Sequence, residues 1–226
     1  MVGVGLSGAS GEGSRCVSEA AARRRSPVQR LSLFAAGVVV SPLLVAWRFA
    51  VLQGRGSVFF ASCSQLLSLI PGRTGSYLRR AFYRRTLLAC GDDAHIEFGT
   101  VLAHRDVSIG CGVYIGTFCS LGKVTIGDNV MIGSNVDILS SRHQHQRVNG
   151  RLLGSESGSF SMVEIGANTW IGNSAVIMAS VGESCIVGAG SVVVKRVRDG
   201  ATVVGNPGRE IVPRAVDAGV DSVSEP

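Results

Sequence analysis

From Ile109 to Val193 a large aliphatic residue recurs about every six positions. The series is Ile109, Ile115, Leu121, Ile126, Ile132 and Ile138, then Ile165, Ile171, Ile177, Val181, Val187 and Val193, and glycine follows nine of the twelve. The fourth residue after most of them is small or β-branched, as at Val113, Cys119, Val130, Val136, Thr169, Ala175, Cys185 and Ser191. A helix wants apolar residues three and four apart and a long strand alternates by two, so neither accounts for a period of six. A short strand followed by a corner does. Each hexapeptide then aims one aliphatic side chain into a narrow interior, with the small residue beside it. The glycine is expected to supply corner angles that a Cβ would forbid. One turn cannot bury its own inward face, so turns must stack around a shared core. The sequence predicts a mainly β protein, a parallel β-helix built from hexapeptide repeats over residues 92–212.

Composition divides the rest of the 226 residues. Residues 1–30, rich in Gly, Ser, Ala and Arg, read as a disordered basic tail, and 213–226 as a second disordered tail. Leu31 to Trp47 runs seventeen residues without a charge, about 26 Å as a helix against a hydrocarbon core of roughly 30 Å. A second apolar stretch, Val58 to Ile70, follows the polar turn Gln53-Gly54-Arg55-Gly56. Arg23, Arg24, Arg25 and Arg30 precede this region, and Arg79, Arg80, Arg84 and Arg85 follow it. A single span would send one cluster across the membrane, against the preference of positive charge for the cytoplasmic side. The expectation is a membrane-associated helical hairpin over 31–70, kinked at Pro42, that keeps both clusters and the β-helix on the cytoplasmic face. A cleaved signal peptide is the other reading, but no small-residue cleavage site follows the apolar run. Residues 71–91 then form an amphipathic connector helix, with Tyr77, Leu78, Ala81, Phe82 and Leu88 apolar and the arginines mostly opposite.

The net charge of +6 is concentrated in those clusters, which suit anionic lipid headgroups; no aromatic-rich basic motif supports nucleic acid as a partner. Cys16, Cys63, Cys90, Cys111, Cys119 and Cys185 show no CxxC pair and are expected as reduced thiols.

The repeat halts at Ile138 and resumes at Ile165, leaving a polar excursion long enough to be functional. It holds His143 and His145, while His95 and His104 lie at the entry to the coil. A loop histidine suits general-base work, since its unperturbed pKa of about 6.5 needs little adjustment. A plain surface histidine is the bland alternative. A zinc site is a third, but the His-x-His pair has no further ligands visibly placed to complete it, and no metal is expected.

Taken in order, IGDNVMIGSNV (126–136), the histidine-bearing excursion, VEIGANTWIGNSAVIM (163–178), VGAGSVVVKRV (187–197) and VVGNPGREI (203–211) resemble the hexapeptide-repeat acyltransferases, in the branch of maltose, galactoside and exopolysaccharide O-acetyltransferases. The resemblance covers roughly residues 95–212. It implies a left-handed parallel β-helix, a homotrimer, and acyl-CoA bound in a groove between adjacent coils. The family's catalytic histidine stands seven residues after the valine that ends the repeat before the loop, which is His143 here, with His145 the other candidate. The family's Trp-Ile-Gly matches Trp170, Ile171 and Gly172, with Trp170 at the acyl or pantetheine end. Asn173, Ala189, Lys195 and Arg209 fall where the family contacts CoA, the two cations as partners for phosphates. Two departures stand out: Phe118, Cys119 and Ser120 occupy the place of an early-coil asparagine, and Val181 follows Ile177 at only four residues.

The function these features imply is O-acetyl transfer from acetyl-CoA to a hydroxyl of a glycan or lipid-linked sugar. Alternatives are a small soluble acceptor such as serine, a γ-class carbonic anhydrase, which needs three histidines around a metal, and a non-catalytic membrane-tethered scaffold.

Overall fold

The computed structural model describes residues 27–140, 147–148, 151–152 and 161–211. Its centre is a coil whose every turn lays down short strands on three flat faces, each paired in parallel with the equivalent strand of the next turn. The first face stacks Ala89–Cys90, Ser108–Ile109, Val124–Ile126 and Val163–Ile165, and continues as single bridges at Val181 and Val197. The second stacks His95–Ile96, Tyr114–Ile115, Met131–Ile132, Trp170–Ile171, Ile186–Val187 and Thr202–Val204. The third stacks Val101–Leu102, Ser120–Leu121, Asp137–Ile138, Val176–Ile177 and Val192–Val193. After about five turns the chain folds back, with Arg209–Ile211 antiparallel to Thr202–Val204.

The predicted repeat positions form the interior. Ile115, Ile132, Ile171 and Val187 sit in register on the second face, each at most 1% exposed. Polar side chains that enter the core are satisfied by backbone, as burial requires: Thr100 Oγ1 donates to Gly116 O at 2.6 Å and Thr169 Oγ1 to Gly182 O at 2.8 Å.

The glycines after the aliphatic residues do not take the corner angles expected of them. Their role is close approach: a Cβ on Gly172 would stand 2.6 Å from the Ala189 nitrogen of the next turn. The left-handed angles fall on two other columns. Gly112, Asn129, Asn168, Ser184 and Gly200 turn the chain from first to second face; Gly99, Phe118, Asn135, Ser174 and Gly190 turn it from second to third, with φ between 53° and 77° throughout. Gly and Asn suit that region, and Ser174 and Ser184 are small. Phe118 does not suit it.

Three helices precede the coil: α1 (Pro27–Leu52), α2 (Gly56–Ser68) and α3 (Gly72–Thr86). α1 continues through Pro42, and the polar turn Gln53–Arg55 joins it to α2. Its 26 residues give about 39 Å, and Leu31–Leu52, with mean hydropathy 1.9, is long and apolar enough to cross a membrane. α3 ends at Thr86, short of the expected connector helix, because Ala89–Cys90 already pairs on the first face.

The arginines of α3 are not all opposite its apolar side. Arg79 is fully buried, and its Nε donates to Ile96 O at 2.9 Å while Nη1 donates to Leu67 O at 2.9 Å and Ile70 O at 2.8 Å. Arg80 is 6% exposed, with its guanidinium over the Tyr77 ring. Phe60, Phe82 and Tyr83 cluster beside them with ring centroids 5.8 to 6.2 Å apart. Ser64 Oγ lies 2.9 Å from the Tyr83 hydroxyl and accepts from Leu102 N at 2.9 Å. Burial pushes the Tyr83 hydroxyl up to about 12. These contacts seat the helices on the first turn of the coil.

Cys63, Cys90, Cys119 and Cys185 are free thiols. Cys111 is disulfide-bonded, a departure from the expected reduced set. It stands on the corner between first and second faces, whereas Cys119 and Cys185 occupy inward positions and are 1% exposed.

Candidate functional site

Of the positions predicted to be functional, Trp170, Asn173, Ala189 and Lys195 fall on an outward strand position or on a corner of the coil, because inward positions are filled by the core. The third corner, leading from third face to first, carries the excursion. The chain leaves it after Ser140, whose buried hydroxyl accepts from Lys123 N at 2.7 Å. It returns to strand at Val163–Ile165. Within the excursion Arg147–Val148 pairs antiparallel with Arg151–Leu152. His143 and His145, the expected bases, lie outside the described residues.

The same corner presents His104, Asp106 and Lys123 in the earlier turns and Lys195 in the last. Lys123 Nζ meets Asp106 at 3.3 Å. Burial, then Lys123, holds the His104 imidazole below its ordinary range, opposed by Asp106. Lys195 is exposed and has no ion-pair partner among the described residues. Glu164, on the adjoining strand, donates its N–H to Ser180 Oγ at 3.1 Å, and its side chain is on the exposed side.

Asn173 and Ala189 stand one above the other on the corner between second and third faces, where Gly190 N donates to Asn173 O at 2.8 Å. Asn173 Oδ1 accepts from Ser134 N at 2.9 Å, so the coil fixes the amide. The Asn206-Pro207-Gly208 turn, with a cis Asn206–Pro207 bond, closes over this corner. Gly205 N donates to Ser191 Oγ at 3.1 Å and Gly208 N to Val192 O at 2.8 Å, which brings exposed Arg209 alongside.

Trp170 lies on the second face, one residue before buried Ile171 and 53% exposed. It registers with Met131 on one side and Ile186 on the other, and Tyr114 extends the row. All four are between 40% and 56% exposed. Equivalent outward positions are Ser108, Thr125 and Glu164 on the first face, and Ser120 and Asp137 with half-buried Val101, Val176 and Val192 on the third. Among the described strands of these three faces, those of the second therefore show water the row of large, exposed apolar side chains.

Within one chain, then, the predicted residues divide. The excursion and Lys195 share the third corner; Asn173, Ala189 and Arg209 share another; Trp170 lies on a flat face. Sequence reasoning missed Tyr114, Met131 and Ile186, although the residue before each repeat aliphatic is the outward one and could have been read as a column. It also missed the grouping of His104, Asp106 and Lys123, which needs the turns stacked to be seen. Among the described residues, no group of three or more His, Cys, Asp or Glu is arranged to hold a metal.

The bacterial transferase hexapeptide (six repeats) model matches residues 106–138, and the hexapeptide repeat of succinyl-transferase matches 162–195. The galactoside O-acetyltransferase of Escherichia coli K12 is 31% identical over 142 residues, 59% of this chain and 67% of that one. Nodulation protein L of Rhizobium meliloti is 39% identical over 123 residues, 51% and 61% of the two chains. A Schizosaccharomyces pombe protein carrying the name acetyltransferase is 34% identical over 100 residues. The chain spans 47% of that fission yeast relative, about half its length. Among solved structures, a maltose O-acetyltransferase from Clostridium difficile is 27% identical with a TM-score of 0.58, covering 69% of this chain and 86% of that one. A galactoside acetyltransferase in complex with coenzyme A is 26% identical, also at 0.58, covering 70% and 82%. The chain belongs to the hexapeptide-repeat acetyltransferase family.

Proposed function

We propose that this protein transfers the acetyl group of acetyl-CoA to a hydroxyl of a glycan or lipid-linked sugar, in one ternary complex, at the cytoplasmic face of the membrane. The observation that carries the reading is the place of the long interruption: the excursion with His143 and His145 leaves the corner that presents Lys195. His143, or His145, takes the proton of the acceptor hydroxyl as its oxygen attacks the thioester carbonyl. Backbone N–H groups stabilise the tetrahedral oxyanion, and the departing CoA thiolate recovers the proton from the imidazolium. Lys195 and Arg209 pair with CoA phosphates, and Trp170 lies beside the pantetheine.

Direct transfer is favoured over an acyl-cysteine relay by the state of the thiols. Burial pushes Cys90 up to about 12 and raises Cys119, and a thiol so held is a poor nucleophile. A homotrimer accounts for the apolar row on the second face, and it allows the excursion of one copy to meet the corner residues of another. Membrane attachment is supported by α1 and α2, which leave Leu31, Phe34, Val45, Phe49, Leu52 and Val58 between 61% and 83% exposed. It is supported also by residues 27–91, which contain no acidic residue and expose Arg48, Arg55, Arg73, Arg84 and Arg85.

The test is acetyl-CoA turnover by His143→Ala, His145→Ala and the double variant, with trimer formation followed by light scattering. The double variant is expected to lose transfer and keep its assembly. Unchanged turnover refutes the assignment. Mass spectrometry of envelope glycans and lipids with and without the protein identifies the acceptor.

A further inference from the structure

Phe118 is the one bulky residue in the two left-handed columns, at φ 55°. A large side chain is disfavoured there, and such strain persists only where the surroundings over-determine it. The interior does not require it, since the side chain is 57% exposed. Its ring lies over Gly99, where a Cβ would fall 2.4 Å from Phe118 Cδ1, and it meets Phe98 edge-on with centroids 5.3 Å apart.

Gly99 ties this corner to the helices. Its N–H donates to Ser68 O at 2.9 Å, at the end of α2, and the next residue, Leu69, is 67% exposed. Val58, Ser62, Leu66 and Leu69 recur at three- and four-residue spacing, which places them on one face of α2. Val58 and Ser62 also line an open cavity of about 620 Å³ against Phe49 and Ala50 of α1, with Arg55 among its walls. An apolar strip therefore runs from the groove between α1 and α2, along the outside of α2, to Phe118 on the coil.

We infer that this strip is one lipid-facing surface, and that Phe118, braced by Phe98, is where the β-helix itself enters the bilayer interface. The inference rests on the membrane attachment proposed above and adds the orientation of the catalytic coil. The occupant is a bilayer with anionic headgroups: the helical region has no acidic residue, and Arg48, Arg55 at the groove and Arg73 past Leu69 are exposed. Phe118 stands in the second turn of the corner on which Asn173 and Ala189 lie two and three turns further on. At a strand spacing of about 4.8 Å these lie roughly 10 and 14 Å from it. That corner is thereby held just above the lipid surface, within reach of the head of a lipid-linked acceptor.

The test uses the full chain with p-benzoylphenylalanine in place of Phe118, of Phe49 in the groove, or of Thr125 on the polar first face. Each is bound to phosphatidylglycerol–phosphatidylcholine vesicles, irradiated and analysed by mass. Lipid adducts at 49 and 118, with none at 125, are expected. Adducts at 49 without any at 118 overturn the inference and leave membrane attachment standing. No adduct at either position refutes both. Crosslinks from 118 to a second copy of the chain also overturn the inference, since the strip is then a contact between protomers. Vesicle flotation of Phe118→Asn, which suits the left-handed backbone, is the second measurement. Several-fold weaker recovery on anionic vesicles is expected, and recovery equal to wild type counts against the inference.

Discussion

Arg79 joins the helices to the coil, and its removal is a direct test of how they are held. One buried guanidinium donates to Leu67 O and Ile70 O at the end of α2 and to Ile96 O in the first strand of the second face. It has no ion-pair partner among the described residues, and burial lowers its pKa, opposed by the Tyr83 hydroxyl and Glu97. Hydrogen bonds to a charged donor contribute about 1.5–3 kcal/mol each, so the three together approach about 6. Taking the guanidinium out of water offsets several kcal/mol of that. In Arg79→Leu the offset is recovered, but buried Ile96 O and part-buried Ile70 O lose this donor and Leu67 O is left with backbone N–H groups alone. The net loss is about 3 kcal/mol.

At about 2–4 °C per kcal/mol for a chain of this size, Arg79→Leu is expected to melt roughly 6–12 °C below wild type in the same detergent. Hydrogen exchange locates the damage. Amides of α2 and α3 lose protection, while those facing Ile132 and Ile171 in the middle of the coil keep theirs. Arg79→Lys falls between the two, because one ammonium cannot span three carbonyls as the planar fork does. A melt within about 2 °C of wild type, with α2 still protected, refutes the reasoning.

Ile132, 1% exposed between Ile115 and Ile171, is expected to cost about 2–5 kcal/mol as alanine, read by denaturant unfolding. His95 and His104 are held below their usual pKa of 6.5, first by burial, so the fold favours the neutral imidazole. Their contribution is complete above that value and is lost as pH falls through it; the melting temperature should drop between pH 7 and 5, and less steeply in the double glutamine variant. Iodoacetamide at pH 8 should leave Cys90 and Cys119 of the folded protein unmodified, checked by peptide mass. Phe118→Asn should relieve about 1–2 kcal/mol of backbone strain and lose about 0.5–1.5 kcal/mol of ring contact, so its melting temperature should stay close to wild type.

The inward half of the coil was legible because burial is a period-six signal: one aliphatic and one small residue per strand and corner leave no freedom about which side faces in. The outward half was legible only where the family resemblance reached. Trp170 was found, but Tyr114, Met131 and Ile186 were not, since an exposed apolar residue means little until its neighbours in other turns are known. Glycine was found with the wrong reason attached. Gly172 is required by the backbone of Ala189 in the next turn, a contact seventeen residues away that no local pattern states. Arg79 is the clearest miss. A cationic residue on an amphipathic helix is assigned to water by default, and only the three carbonyls converging on it show otherwise.

The place of the excursion follows from the same backbone constraints. Between first and second faces every corner has four residues, as at 110–113, 127–130 and 166–169, and between second and third every corner again has four, as at 116–119, 133–136 and 172–175. From 110–113 onward in the first set, and throughout the second, each of these corners carries a left-handed residue in register with those above and below, so an inserted residue would break a column. The third corner has no such column. Its length varies freely, from the two residues 122–123 to the three of 178–180 and the long excursion after Ser140. The short step from Ile177 to Val181 is therefore another expression of the one permissive corner and leaves the coil undisturbed, since Val181 still bridges Ile165. A coil of this kind can accept a histidine-bearing loop at only one of its three edges without losing its stacking, and that is the edge on which this chain carries it.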